Sequence, residues 1–382
     1  MILIYLAISQ QHFTFFSALS CTKILTRIKK ILIINQRSNG DVYLLQSLIS
    51  ILKENYSNAE LEILVNDDTY QVAKLLQGPK KIITFSYKQK HKLGFKYVLN
   101  FARNIYKKFD LTINLAASDR SVIFAILSAK RSISIVERAL KKSWWKRALL
   151  SHYYEYSADQ NILDDILNPL SFLKINHLEH VLPIKNETSY EDFVLKKFNL
   201  NRKYIIFHPC AQYNYKVYPE NLRSELINYL LKLNLEIVVT GGNSILDLGI
   251  KETIPKDKKI LNLIGETSFK EFISISNNSM GYVGMDTVNM HIAASQNKEI
   301  FAIFGPTNTK KWAPFSTKDI NYIINSEKDF SSKSNVHIFQ SDMKCMPCGK
   351  AGCDDNHGES YCLYKISPET IYQSIKKCFS KI

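Results

Sequence analysis

Tyr282-Val-Gly-Met-Asp-Thr-Val-Asn-Met-His-Ile-Ala-Ala-Ser295, followed by Glu299-Ile-Phe-Ala-Ile-Phe-Gly-Pro-Thr307, is the stretch that decides the fold. It reads as strand, helix, strand. Residues 280–283 are short and apolar, Gly284 reads as a strand breaker, and Asp286 reads as the N-cap of the next helix. Met290, Ala293 and Ala294 fall at helical spacing, and residues 300–304 form a second buried strand closed by Gly305-Pro306. A helix that opens at the carboxyl end of a parallel strand offers unpaired N–H groups and a positive dipole end, where a phosphate or diphosphate sits well. His291 lies one helical turn beyond Thr287, so its ring can face the same pocket. Residue types alone equally allow a plain buried βαβ unit with a capping Asp.

The same rhythm extends to both sides. Tyr204-Ile-Ile-Phe-His-Pro209 and Glu236-Ile-Val-Val-Thr240 read as strands with a helix over residues 219–233 between them, and Gly241-Gly242 follows. Earlier, Lys30-Ile-Leu-Ile-Ile-Asn35 is a buried first strand, Arg37-Ser-Asn-Gly-Asp41 a tight loop, and residues 42–55 an amphipathic helix. Residues 61–65, 82–85 and 111–115 read as further strands, with helical stretches such as 97–108 between them. The pattern loosens after residue 161, and residues 190–199 and 368–379 are helical. Alternating β and α elements predict an α/β protein with doubly wound parallel sheets. The expected organisation is an apolar extension at 1–30, one α/β domain at 31–182, a second at 183–366, and a terminal helix at 367–382. Two such domains in tandem are expected to face each other across a cleft between the carboxyl ends of their sheets.

The 382 residues, 46% hydrophobic, suffice for two cores. The formal net charge of +15 is not spread evenly. Residues 74–150 hold 18 Lys and Arg against three acids, which accounts for the whole excess. Such a concentrated field favours an anionic partner. Seven cysteines, an odd number, without a basic n-region ahead of the apolar start, point to a reducing compartment. The apolar runs within residues 1–30 are too short to span a bilayer. Residues 13–30 read either as a membrane-surface segment or as an extension from an early start codon.

Ser38-Asn-Gly-Asp-Val42, His208-Pro209, Lys216-Val-Tyr-Pro219, Gly284-Met-Asp-Thr287 with His291, and Phe304-Gly-Pro-Thr307 fall in an order and spacing that resembles the lipopolysaccharide heptosyltransferases, glycosyltransferase family 9. The resemblance runs from about Lys30 to the terminal helix. It implies a GT-B architecture, with acceptor held mainly by the first domain and nucleotide-sugar by the second. It also implies inverting transfer from ADP-heptose to the inner core of lipopolysaccharide. In that scheme Asp41 is the catalytic base, and Lys216, Asp286, Thr287 and His291 hold the donor diphosphate. The nucleotide-sugar is a substrate, so no cofactor is expected, and no metal, because a lysine and a helix end can carry the leaving charge. By residue type alone Asp41 reads as a helix cap and Lys216 as one lysine among many. The chain departs from the family pattern at Val288, Cys210 and Tyr218, where Gly, Gly and Trp are usual. Asp247 is the nearest acid to the position that contacts the ribose.

Lys141-Lys-Ser-Trp-Trp-Lys-Arg147 joins four cations to two tryptophans within the basic half-domain. Lys141, Lys142, Lys146 and Arg147 are therefore acceptor-side candidates, expected to meet an anionic lipid-linked glycan and the headgroups of the inner membrane. The expected location is cytoplasmic and peripheral at that membrane. Nucleic-acid motifs are lacking. Cys345, Cys348, Cys353 and Cys362 could close a zinc site, but their spacing fits no common module, and a reduced structural loop is the expectation. Two other readings stay open: a GT-B transferase of another nucleotide-sugar, and a non-catalytic binder of anionic glycans.

Overall fold

A computed structural model describes residues 28–176, 181–316, 321–323 and 334–379. Residues 1–27 of the apolar extension lie outside the described residues. The chain forms two compact units, residues 1–37, 48–156 and 165–177, and residues 38–47, 157–164 and 178–382.

The first unit carries strands β1 (Lys30–Asn35), β2 (Glu60–Asn66), β3 (Lys81–Phe85), β4 (Phe109–Asn114), β5 (Ala129–Val136) and β6 (His152–Glu155), ordered β3-β2-β1-β4-β5-β6. The second carries β7 (Tyr204–His208), β8 (Glu236–Gly241), β9 (Ile260–Ile264), β10 (Gly281–Met285), β11 (Glu299–Ile303), β12 (Asn321–Ile323) and β13 (Val336–Phe339), ordered β12-β13-β11-β10-β7-β8-β9. All the pairings are parallel. Parallel strands covered on both faces read as unbroken apolar runs, which is why Ile31–Ile34 and Ile205–Phe207 are almost wholly buried. In each sheet the order reverses at the first strand, between β1 and β4 and between β7 and β10. Loops at the carboxyl ends of those pairs are where such folds bind ligands. The expected α/β fold of two doubly wound sheets is therefore present.

Two local expectations are corrected. Gly284 does not break its strand. It lies inside β10, paired with His208 of β7. A Cβ at Gly284 would come within 2.3 Å of the His208 carbonyl oxygen, so the strands can approach only because the side chain is missing. Nor does Asp286 cap the following helix, whose N-cap is Thr287. At the other site of interest, helix α1 (Asn39–Asn55) begins inside the expected loop, so Gly40 and Asp41 belong to its first turn.

Helix α2 (Tyr87–Ile105) packs Phe101 against Phe85 and Phe124 in the first core, and its backbone is broken at Gly94. Helices α3 (Glu220–Leu230), α4 (Ile245–Thr253), α5 (Phe269–Asn277) and α6 (Val288–Ser295) flank the second sheet. The terminal helix α7 (Pro368–Phe379) buries Ile371 and Ile375 in the core of the second unit. Tyr218 and Cys210, two departures from the family pattern, are core residues there, and the Tyr218 hydroxyl donates to the Ile366 carbonyl.

Candidate functional site

The donor-side residues expected from the sequence gather at the carboxyl end of the second sheet. His208 ends β7 and is buried, with Nδ1 2.9 Å from Thr240 Oγ1 and 3.2 Å from Asn289 Nδ2. Burial pushes its imidazole down to about 4, against the opposing pull of Asp247, so the ring is neutral near pH 7.

Lys216 closes a short turn after β7, and its Nζ donates to Asp286 Oδ2 at 3.0 Å. Burial works against the ammonium, but the charge and hydrogen bond of Asp286 outweigh it and the pKa is raised. Lys216 and Asp286, expected as separate contacts to a diphosphate, are thus an ion pair. Asp286, freed from capping, sets the position of the lysine beside the amino end of α6. Thr287 supplies the N-cap backbone, and its Oγ1 lies 3.4 Å from Tyr282 Oη.

His291 is buried on α6, and its Nδ1 makes no hydrogen bond among the described residues. Its ring borders Gly40, where a Cβ would come within 3.4 Å of Cδ2. Burial lowers its pKa first, Asp286 and Asp41 pull it up, and Lys216 pushes it down again. These couplings place Asp41, Lys216, Asp286 and His291 in one electrostatic neighbourhood.

Asp41 itself is 2% exposed. Its Oδ2 accepts from Ser38 Oγ at 2.6 Å and from Ser38 N at 3.2 Å. The same arrangement joins Ser244 to Asp247 at the start of α4 and Ser268 to Glu271 at the start of α5. Asp41 is therefore a helix-capping carboxylate as well as a neighbour of His291. Asp247, the acid nearest the ribose position by sequence, is engaged with the N-cap Ser244 in the capping box of α4.

In the first unit the four acceptor-side candidates divide. The segment forms a helix over Leu140–Leu149. Lys141 and Lys142 are exposed on it. Lys146 is 0% exposed and bonds Asp119 at 2.7 Å, Glu137 at 2.8 Å and the Ala117 carbonyl at 2.6 Å. Arg147 pairs with Glu155 at 2.9 Å and donates to the carbonyls of Glu137 and Arg138. This corrects the expected four-cation surface: two of the cations are internal struts. Trp144 is 64% exposed, while Trp145 packs beside Val122, Val136 and Leu150.

Arg120 was not singled out by sequence. It lies in the first turn of the helix after β4, Asp119–Ser128, as Val288 lies in the first turn of the helix after β10, and the shared strand order is the signal that could have found it. Its guanidinium stacks over Phe85 at 4.4 Å and Tyr87 at 4.5 Å, and Nε donates to Gln36 beyond β1 at 3.4 Å. The cysteine loop shows three exposed thiols at Cys345, Cys348 and Cys353, with Cys362 buried and its thiol pushed up to about 11 by burial. Those four thiols do not draw together into a three-ligand group among the described residues.

A half-buried lysine, a helix amino end and a neutral imidazole suit an anionic diphosphate, and a nearby carboxylate suits proton transfer. Comparison with known proteins gives the same direction. Residues 98–342 match the model of glycosyltransferase family 9 (heptosyltransferase). The chain is 24% identical over 302 residues to lipopolysaccharide heptosyltransferase 3 of Escherichia coli, covering 75% of this chain and 86% of that protein. Its fold is similar to the glycosyl transferase family 9 structure from Veillonella parvula, with a TM-score of 0.69 and 17% identity over 93% of this chain and 98% of that one. It is also similar to the structure of E. coli ADP-heptose lps heptosyltransferase II, with a TM-score of 0.67 and 16% identity over 92% and 99% of the two chains. The α/β fold is that of the GT-B class. The chain belongs to glycosyltransferase family 9, the heptosyltransferase family, and is a glycosyltransferase.

Proposed function

We propose that this enzyme transfers heptose from an ADP-heptose donor to the inner core of lipopolysaccharide with inversion at the anomeric carbon. The observation that carries the reading is Lys216, fixed by Asp286 next to the amino end of α6 and beside His291. Charge grows on the leaving diphosphate as the glycosidic bond breaks. Lys216 and the N–H groups of Asp286 and Thr287 meet that charge, and neither a metal nor a cofactor has a part in this scheme. His291 Nδ1, a buried polar atom with no partner among the described residues, turns to the donor. Asp41 takes the proton from the acceptor hydroxyl. Transfer of a different nucleotide-sugar is the second reading, favoured by Val288 at the first turn of α6 and by Asp247 being held by Ser244 in a capping box.

The acceptor in this scheme is an anionic lipid-linked glycan at the cytoplasmic face of the inner membrane. No described helix is long and apolar enough to cross a membrane. Peripheral contact falls to Lys141, Lys142 and Trp144, together with α2, where Phe95 is 73% exposed beside the Gly94 break and among Lys88, Lys90, Lys92 and Lys96. The deciding experiment is a thermal-shift panel of ADP-, UDP- and GDP-sugars, with and without Mg²⁺. A rise with the ADP-sugar alone, independent of Mg²⁺, supports the proposal. A rise with UDP- or GDP-sugar overturns the donor assignment, and strict dependence on Mg²⁺ overturns the metal-free scheme.

A further inference from the structure

The end of the second sheet opposite the site holds another convergence. Glu299 is the first residue of β11. His337 lies in β13, in register with Phe301, so it shares a sheet face with Glu299. Cys378 stands in the last turn of α7, which packs on that face. Cys378 Sγ is 3.5 Å from His337 Nε2, and Glu299 Oε2 is 3.5 Å from the same nitrogen. All three ligand atoms lie within 4.8 Å of one another.

Two further facts separate this cluster from chance polar contact. The His337 ring is wholly buried and stacks on Phe301 at 4.9 Å and 15°, which fixes the direction of Nε2. Glu299 Oε2 is buried, and its close neighbours are the other two members of the cluster, the His337 ring at 3.5 Å and the Cys378 thiol, with no well-aligned hydrogen bond from either. A buried carboxylate oxygen with such poorly aligned donors is better satisfied by an ion placed between the three groups.

We propose that Glu299, His337 and Cys378 form a binding site for a transition-metal ion of the Zn²⁺ class, fastening the terminal helix to the sheet. A tetrahedral zinc centre with these donors has an S···N edge of about 3.6 Å and an N···O edge of about 3.3 Å. The observed separations of 3.5 Å match both to within a few tenths of an ångström. A sulfur, nitrogen and oxygen donor set selects a borderline ion over Mg²⁺ or Ca²⁺. Glu299 and Cys378 are partly exposed, which gives the ion a way in and leaves the fourth position to water. Binding displaces the thiol proton to solvent and leaves a thiolate on the metal. The ion would stand at the amino end of β11, away from the diphosphate site, so its part is structural.

The test uses the full chain with Cys345, Cys348 and Cys353 changed to Ser, so that the exposed loop thiols cannot capture the ion. After chelator treatment and dialysis, the protein is titrated with Co²⁺ and, separately, with Zn²⁺ or Mg²⁺ in a thermal melt. The expected result is one equivalent of Co²⁺ with a thiolate-to-metal charge-transfer band, and a melting temperature raised by Zn²⁺ and not by Mg²⁺. Cys378→Ser should lose the band and bind Zn²⁺ at least tenfold more weakly. Glu299→Gln should keep the band and also bind more weakly, which keeps the test open if the Ser variant does not fold. Absence of the band in the parent, or equal Zn²⁺ affinity in the parent and Glu299→Gln, would overturn the site.

Discussion

Asp41 has two tasks that substitution can separate. Asn at this position keeps an oxygen that accepts from Ser38, but it cannot take a proton. Asp41→Asn should therefore lower turnover by a factor on the order of 10²–10⁴ with ADP binding nearly unchanged. Ser38→Ala removes the capping partner instead. It should cost about 0.5–2 kcal/mol in urea unfolding and leave turnover within about tenfold. If Asp41→Asn keeps normal turnover, Asp41 is a cap alone. Lys216 makes a charge-assisted contact in the proposed site, worth about 1.5–3 kcal/mol, so Lys216→Ala should raise the Kd for ADP by about 10- to 100-fold in calorimetry. His208 predicts a pH response. Its folded pKa, about 4, lies below the ordinary 6.5, so the unfolded chain takes up the proton first as pH falls. The stability held by the neutral ring is complete above pH 6.5 and is lost down to about pH 4, with a slope of about 1.4 kcal/mol per pH unit. Urea melts at pH 7.5 and 5.0 should show a smaller loss in His208→Asn than in the parent. Equal losses would mean that His208 is not the titrating group.

At the scale of elements, the close approach of β7 and β10 depends on Gly284. Gly284→Ala drives a methyl into the His208 carbonyl, and backbone cannot yield as a flexible side chain can. The cost should reach several kcal/mol, seen as a large fall in midpoint or as insoluble protein. A change below about 1 kcal/mol would show that the strands can part locally. This glycine also marks what was legible in the sequence. A glycine in an apolar run is ambiguous between a breaker and a point of close approach, and only the partner strand decides. Strands β1 and β7 were readable because Ile31–Ile34 and Ile205–Phe207 are unbroken apolar runs. β5 was not, because exposed Lys130 and Arg131 follow its first residue and it carries Ser132 and Ser134 among its apolar residues. Those serines are buried and bonded to Ser151 and Asn114, partners that local pattern does not reveal. The candidate site residues were found through ordered motifs. Their pairing was not, since the bond from Lys216 to Asp286 and the burial of Lys146 arise from charges brought together by the fold.

At the scale of the whole molecule, the proposed membrane contact now rests on fewer cations. Lys146 and Arg147 should be left intact, because their hydrogen bonds to the carbonyls of Ala117, Glu137 and Arg138 hold this helix in place. The informative variant combines Lys141→Gln, Lys142→Gln, Trp144→Ser and Phe95→Ser. The parent should co-sediment with anionic but not neutral vesicles and be released by salt, and the variant should bind several-fold less with an unchanged melting temperature. Equal binding by both proteins would exclude these residues as the contact. The strand order has a consequence for synthesis. Every pairing in the two sheets is parallel, so each waits for a crossover, and β1 meets β4 only after residue 111 has been made. Residues 38–47 wait longer still. They pack with the second unit, where Tyr43 Oη meets Ser295 Oγ at 2.8 Å. On the ribosome, therefore, the start of α1 emerges long before the partners that bury it. A nascent chain paused in its middle would hold that helix end open, with Tyr43 unburied, until residue 295 had left the exit tunnel.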